Sequence, residues 1–156
     1  MSSPDNLSAI ILARSGSKGI LNKNIKEIHG TKLLEFSIKA AIQSKSITNV
    51  YVSSDSEEYL KIARINGAKT IKRPKNLSAD DSSSEDGILH SITEIEKKEG
   101  AISRDIIFIQ CTSPFTSSKD FDKAYKKFID NKYDSLFSGV KNHGFLWDGN
   151  LVSGCL

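Results

Sequence analysis

The stretch from Ala9 to Asn24 constrains the fold of this chain more than any other. It begins with an uninterrupted apolar run over residues 9–13, which is typical of a strand buried on both faces of a parallel sheet. The run then changes abruptly into a loop with two glycines, two serines and the cations Arg14, Lys18 and Lys23. Glycine lets the backbone turn tightly and bring its N–H groups close to a ligand. A buried strand that ends in such a loop is what binding of a polyphosphate requires.

Two better-known phosphate loops fit this stretch less well. The Walker pattern needs a Gly-Lys-Ser/Thr step entering a helix, whereas here Lys18 is followed by Gly19 and Ile20. The dinucleotide fingerprint needs a third glycine at a set spacing, which this loop lacks. A solvated loop with scattered charge is the remaining alternative, although cations so close together would repel one another without an anion. We therefore expect a nucleoside triphosphate, held by a different kind of loop.

Strand and helix patterns alternate along the rest of the chain. Apolar, β-branched and aromatic runs predict strands at residues 49–53, 68–72, 106–109 and 134–140. Apolar residues at helical spacing predict helices that begin near Leu33, Asp55, Ser84 and Ser118, with Ser118 as the cap of the last helix. Residues 145–152 are typical of a hairpin that turns at Asp148-Gly149. The alternation predicts an α/β fold of three layers, a mostly parallel sheet with helices on both faces.

Polar side chains follow the strands at the points where the strands end. These clusters are Arg14 to Asn24, Ser53 to Asp55, Arg73, and Gln110 to Ser113. Because ligands of parallel sheets bind at the carboxyl ends of the strands, we expect the clusters to converge on one site. For Asp55 two roles remain open, a ribose-binding acid or a helix N-cap.

Composition argues against several other classes of function. The net charge is +3, and the sequence has no arginine-rich run and no aromatic residues interleaved with basic ones, so a nucleic-acid partner is not expected. The sequence contains neither an apolar stretch of membrane-spanning length nor the pattern of a signal peptide, so no membrane partner is expected. Cys111 and Cys155 form no CxxC and no metal-ligand spacing, which favours a reduced, cytoplasmic setting with Cys111 as a small buried thiol.

The loop resembles the signature of a known family. Residues 13–24 match the pattern Ala-Arg-x-x-Ser-Lys-Gly-Ile/Leu-x-x-Lys-Asn of the CMP-sugar synthetases, the acylneuraminate cytidylyltransferases, except that Leu21 stands where the family commonly has proline. Arg73-Pro74 with Leu77 to Asp80 resembles the family's Arg-Pro-x-x-Leu-Ala-x-Asp segment. Residues 110–114 resemble its Gln-Pro-Thr-Ser-Pro, with Cys111 replacing the first proline.

The resemblance implies a nucleotide-diphospho-sugar transferase-like, Rossmann-like fold and a cytidylyltransferase that activates a sialic acid-like sugar acid with CTP, releasing pyrophosphate. It implies that Arg14 and Lys23 are catalytic and hold the triphosphate and the developing charge. The implied nucleotide-binding residues are Leu12, Ala13, Arg14, Ser15, Ser17, Lys18, Gly19, Asn24, Arg73, Ser82 and Ser84. The implied sugar-binding residues are Gln110, Thr112 and Ser113. For Ser84 a helix cap is an equally good explanation.

The resemblance further implies Mg²⁺ across the phosphates and a homodimer. The expected aspartate ligands of the metal lie beyond Leu156, so no residue of this chain is assigned as a metal ligand. We expect one nucleotidyltransferase domain over residues 1–156, short at its C-terminus, in which residues 141–156 begin a hairpin for dimerisation and the sugar site. A non-catalytic nucleotide-binding or regulatory module is the main alternative, and a dinucleotide-dependent oxidoreductase is a third. Sialic, legionaminic, pseudaminic and Kdo-like acids all remain open as substrates, while residues 145–147 favour bacterial surface-glycan synthesis.

Overall fold

The computed structural model describes residues 7–16, 19–78 and 82–139, together with the backbone of residues 147–148 and 151–152. Its strands are β1 Leu7–Leu12, β2 Glu27–Ile28, β3 Thr31–Lys32, β4 Ile47–Ser54, β5 Lys69–Lys72, β6 Asp105–Gln110, β7 Trp147–Asp148 and β8 Leu151–Val152. Its α-helices are α1 Leu33–Ile42, α2 Glu57–Ile65, α3 Ser84–Glu99 and α4 Ser118–Asp130. Two short 3₁₀ helices cover Lys23–Ile25 and Lys75–Leu77.

A four-stranded sheet in the order β5-β4-β1-β6 forms the centre of the fold, and each neighbouring pair is parallel. The apolar strand β1 lies between two others, so that Ala9 is opposite both Val50 and Ile107. All the β1 residues before Leu12 are buried, as the continuous apolar run predicts. The carboxyl end of β1, where the cationic loop begins, therefore lies in the middle of one edge of the sheet.

Helices cover both faces of this sheet. Ala9 and Ile11 of β1 pack in one apolar cluster with residues of α1, α2 and α4. Ile10 lies on the opposite face, where Ile95 of α3 covers it and Leu12 packs alongside. The side chains alternate between faces because successive residues of a strand point in opposite directions. The prediction of a three-layer α/β fold with a mostly parallel sheet is confirmed.

Two local predictions for residues 117–139 are wrong. Residues 134–139 form no strand; Leu136 and Phe137 are exposed, and strand propensity without a neighbouring strand to pair with does not suffice. The cap of α4 is Ser117 rather than Ser118, because Ser117 and Asp120 bond each other's backbone N–H groups in a capping box.

The predicted hairpin near the C-terminus is present as the antiparallel pair β7 and β8. The predicted turn at Asp148-Gly149 is not confirmed, because Asp148 is a strand residue paired with Leu151. Residues 149–150 and the side chains of the hairpin lie outside the described part of the chain. Among the described residues, none of the helices combines the length and the apolar character needed to cross a membrane.

Candidate functional site

A cavity of about 420 Å³ opens at the carboxyl edge of the sheet, beyond the ends of β1, β5 and β6. The first turn of α3 forms one wall, and the loop after β1 forms another. The described lining residues are Leu12, Arg14, Gly19, Lys23, Asn24, Arg73, Leu77, Ser78, Ser82, Ser83, Ser84, Phe108, Gln110, Cys111 and Thr112. Three of the four clusters expected at the strand ends therefore converge here, from segments nearly one hundred residues apart in sequence, whereas the cluster of Ser53 to Asp55 is not in the described lining.

Three permanent cations, Arg14, Lys23 and Arg73, line this cavity, and none of its described lining residues is acidic. Arg73 is 5% exposed, and its Nε has no hydrogen-bond partner among the residues that the structure describes. Burial lowers the pKa of Arg73, and the charge of Asp55 opposes this effect while Arg14 adds to it. A buried, incompletely paired guanidinium is costly, and an anion in the cavity would supply the missing contacts.

The loop after β1 is held by a carboxylate that does not line the cavity. Asp55, directly after β4, accepts the Ser15 N–H at 2.9 Å through one oxygen and the Ser15 hydroxyl at 2.6 Å through the other. Burial acts to raise the pKa of Asp55, but these two bonds and the nearby Arg73 outweigh it and hold that pKa below its usual range. Asp55 is therefore ionised at neutral pH and fixes the start of the loop.

Two further contacts shape the same loop. Gly16 has φ of +61°, the left-handed conformation that glycine adopts without strain, directly after the residue that Asp55 holds. The buried side chain of Asn24 donates from Nδ2 to the Arg14 carbonyl at 3.1 Å. This bond joins the end of the loop to its beginning, and both Arg14 and Lys23 line the cavity.

The N-terminus of α3 contributes neutral donors and acceptors. Ser83 caps the helix by accepting the Asp86 N–H at 3.0 Å, and Ser84 is the first helical residue. The Ser82 hydroxyl donates to the Asn76 carbonyl at 2.9 Å. The cap predicted at Ser84 therefore belongs to Ser83, while all three serines line the cavity.

The end of β6 lies beside the cavity and carries the residues that the family resemblance implies for the sugar. Gln110 and Thr112 line it, whereas Ser113 does not and its N–H bonds the Gln110 carbonyl in a turn. The Cys111 Sγ donates to the Leu12 carbonyl at 3.8 Å. Burial raises the pKa of Cys111 to about 12, so this thiol is neutral and is not an activated nucleophile.

The remaining nucleotide-binding candidates lie away from the lining or outside the described residues. Ala13 is fully buried and its N–H bonds the Ser53 carbonyl, while Ser15 is engaged by Asp55. Ser17 and Lys18 lie outside the described residues. The roles assigned to all of these residues stay predictions.

Sequence reasoning did not assign five lining residues, namely Leu77, Ser78, Ser83, Phe108 and Cys111. Leu77 and Ser78 belong to the segment after Arg73-Pro74, whose pattern could have pointed to them. Phe108 gives no sequence signal of its own, because nothing in an apolar strand distinguishes the residue that faces a cavity. Asp55 was weighed as a ribose ligand or a helix cap, but it makes no side-chain cap bond and is not in the described lining.

The described residues do not form a metal site. Nowhere among them do three or more His, Cys, Asp or Glu side chains come together in a way that could hold a metal ion. The carboxylate nearest the cationic loop, Asp55, already uses both oxygens for Ser15. The described part of the chain therefore supplies no set of ligands for the expected Mg²⁺.

Comparison with known proteins agrees with this geometry. The family model described as Cytidylyltransferase matches residues 8–147, which include every cavity-lining residue. The chain belongs to the cytidylyltransferase family. This match confirms the family that the sequence motifs predict.

Relatives of this cytidylyltransferase-family chain include an N-acylneuraminate cytidylyltransferase and a pseudaminic acid cytidylyltransferase. It is 42% identical to N-acylneuraminate cytidylyltransferase A of Danio rerio over 143 residues, which are 91% of this chain and 32% of that protein. It is 36% identical to a pseudaminic acid cytidylyltransferase of Campylobacter jejuni over 133 residues, 85% of this chain and 57% of that protein. The chain thus spans about a third of the Danio relative and somewhat over half of the Campylobacter one.

Solved structures share its fold. The synthetase of CMP:2-keto-3-deoxy-manno-octonic acid in complex with CTP aligns with a TM-score of 0.69 at 20% identity, covering 81% of this chain and 48% of that one. A 4-diphosphocytidyl-2C-methyl-D-erythritol synthase aligns with a TM-score of 0.69 at 12% identity, covering 99% of this chain and 69% of that one. At such identities the likeness shows the fold, and it agrees with the predicted Rossmann-like architecture.

Proposed function

We propose that this protein binds CTP in the cavity and transfers its cytidylyl group to a sialic acid-like sugar acid. The observation that carries the proposal is the cavity's charge: Arg14, Lys23 and the buried Arg73 surround a space whose described lining has no acidic residue. Such a cavity favours a polyanion of the size of a nucleotide. Membership of the cytidylyltransferase family and the names of the relatives support CTP and an acidic sugar as the two ligands.

In the proposed reaction the anomeric hydroxyl of the sugar attacks the α-phosphorus of CTP. A bond forms from that oxygen to phosphorus, the bond to the pyrophosphate oxygen breaks, and the hydroxyl proton is released. The chain's own part is to orient the two reactants and to neutralise charge on the phosphates. Arg14 and Lys23 would do so for the triphosphate, and Arg73 with the serines of the α3 N-terminus would hold the nucleoside. Gln110 and Thr112 offer neutral groups for the sugar.

Several features stay proposals. We propose a cytoplasmic homodimer that serves surface-glycan synthesis; support for self-association is the shallow groove beside α4 where Phe137 is 91% exposed. Mg²⁺ is also retained as a proposal, but no step is assigned to it because the described residues supply no ligand set. Light scattering across a concentration series, and CTP binding with and without added magnesium, test these two points.

The proposed function is tested by titration calorimetry with CTP and by pyrophosphate release with a panel of nonulosonic acids. Arg14→Ala should weaken CTP binding by about ten- to one hundredfold, since a hydrogen bond to a charged group is worth about 1.5–3 kcal/mol. The matched control is Arg64→Ala, because Arg64 lies on the surface of α2 and pairs with Glu57 away from the cavity. Wild-type protein that does not bind CTP, or an Arg14 variant that binds as the Arg64 variant does, would refute the assignment.

The non-catalytic alternative predicts a different result from the same samples. A nucleotide-binding module would bind CTP and lose that binding in Arg14→Ala, yet would release no pyrophosphate with any sugar acid. Release that requires one particular sugar acid would establish the transferase and identify its substrate. A dinucleotide-dependent oxidoreductase, which the family assignment disfavours, would instead bind NAD(P).

A further inference from the structure

The carboxylate of Asp55 is the feature of this site that the proposed reaction leaves without a role. It is not in the described cavity lining, and it contacts the loop from behind through Ser15. It follows β4 directly, and the loop that it holds follows β1, its neighbour in the sheet. A side chain in this place can act on the ligand through the loop or through its charge, but not by direct contact.

We propose that Asp55 is a positioning residue, which sets the conformation of the loop at residues 14–16 for binding of the triphosphate. Its two oxygens fix two groups of one residue, the N–H and the hydroxyl of Ser15, so the orientation of that peptide unit is determined. The neighbours on either side are the cavity cation Arg14 and the left-handed Gly16. This inference rests on the proposed function, because it names how the same site is prepared.

Asp55 is itself held firmly enough for this task. Lys72 Nζ donates to its main-chain carbonyl at 2.7 Å, and the next N–H, that of Ser56, bonds the Ser54 hydroxyl at 3.1 Å. Lys72 is the last residue of β5 and Ser54 is the last residue of β4. The sheet therefore holds the backbone that carries the Asp55 carboxylate. A site residue is placed accurately only when the groups behind it are locked in this way.

A different role for the same carboxylate predicts the opposite result. Asp55 also lies near enough to Arg73 for its charge to oppose the burial that lowers the pKa of that guanidinium. If Asp55 served only as a counter-charge, removing its charge would make the cavity more positive and would tighten CTP binding. If it positions the loop, removing the charge weakens binding, because the loop no longer presents Arg14 in one conformation. The sign of the change therefore separates the two roles.

The test uses Asp55→Asn with Asp122→Asn as a matched control. Asp122 of α4 also accepts a serine hydroxyl, that of Ser44 at 2.6 Å, and a main-chain N–H, that of Ser46 at 3.1 Å, but it is not among the residues of the cavity. We expect Asp55→Asn to weaken CTP binding about tenfold, or about 1.4 kcal/mol, and Asp122→Asn to leave it within about twofold. Unfolding in urea, measured for both, shows whether their effects on stability are alike.

A double-mutant cycle with Ser15→Ala isolates the contact. In the Ser15→Ala background the Asp55→Asn change should cost less than in wild type, because one of its two bonds is already absent. Additive effects, unchanged binding or tighter binding in Asp55→Asn would each overturn the proposal. A merely structural role would move the stability of both asparagine variants but the CTP affinity of neither.

Hydrogen exchange tests the positioning role of Asp55 independently of the proposed function. Without any nucleotide, the Ser15 amide should exchange slowly in the wild type and faster in Asp55→Asn, while amides of β1 remain unchanged. Absence of CTP binding by the wild type, together with this change in exchange, would refute the proposed function and leave the loop contact established. An unprotected Ser15 amide in the wild type would refute the positioning role itself.

Discussion

Gly87 of α3 packs closely against two side chains that line the cavity, those of Leu12 and Arg73. A Cβ added there would approach Leu12 Cδ1 to 2.9 Å and Arg73 Nη1 to 3.0 Å, and both of these side chains line the cavity. Ordinary contact requires about 3.5 Å, so each group would have to move by about half an ångström. Both contacts are at the ends of flexible side chains and can therefore give way. Gly87→Ala should displace the Arg73 guanidinium without preventing folding.

The expected effects on stability and on binding therefore differ. Alanine favours the helix by about 1 kcal/mol over glycine, which offsets the contacts that are pushed aside, so the free energy of unfolding should change by no more than about 1 kcal/mol. A misplacement of half an ångström at a charged binding group should weaken CTP binding by roughly tenfold. Urea unfolding measures the first quantity, and titration calorimetry measures the second.

Gly67→Ala is the complementary control. Gly67 ends α2 with φ of +85°, is not a lining residue, and would bring a Cβ to 3.3 Å from Ile42 Cδ1. A left-handed conformation costs a non-glycine residue roughly 1–2 kcal/mol, so this variant should lose stability but bind CTP as the wild type does. If Gly87→Ala also bound CTP normally, the reasoning that places the Arg73 guanidinium at the binding surface would be wrong.

Three further measurements follow from the structure. In a Cys155→Ser background, Cys111 should resist alkylation at pH 8 until the protein is unfolded, since a thiol with a pKa of about 12 is ionised to only about one part in ten thousand there. The lowered pKa values of Asp55 and Asp122 give stability that is present above the unfolded-state pKa near 4 and lost as the pH falls through the folded-state values. Urea stability should therefore fall less steeply below about pH 4 when both are replaced by asparagine. Ser83→Ala should lower the free energy of unfolding by about 1 kcal/mol, because it removes the N-cap of α3.

The order of strands and helices could be predicted because it depends on local patterns. The apolar run of β1 indicates a strand buried on both faces, and the spacing of apolar residues indicates the helices that cover it. Residues 134–139 show the limit of this reasoning, since Leu136 and Phe137 have strand-forming character but the described chain offers them no partner strand. Pairing is a property of two segments, and one segment alone does not reveal it.

The candidate site could be predicted where its residues follow strand ends, and not where they act through other residues. Arg14, Lys23, Arg73 and Gln110 converge because parallel strands deliver their carboxyl ends to one edge. The bond from Ser15 to Asp55 joins positions forty residues apart, and no spacing rule links them. The sequence showed an acid after a strand, which fits a cap or a ribose ligand equally well, and only the fold shows which group it contacts.

The placement of charge explains how Asp55 can lie near Arg73 without lining the cavity. Arg73 is buried, and a carboxylate that faced the cavity would satisfy it but would also repel a phosphate. Asp55 instead spends both oxygens on Ser15 and acts on Arg73 through its charge alone. The described lining of the cavity therefore stays cationic, while the negative charge of Asp55 partly balances the positive charge nearby. A polyanion that entered would meet Arg14 on a loop that Asp55 already holds, so less of its binding energy would be lost in ordering that loop.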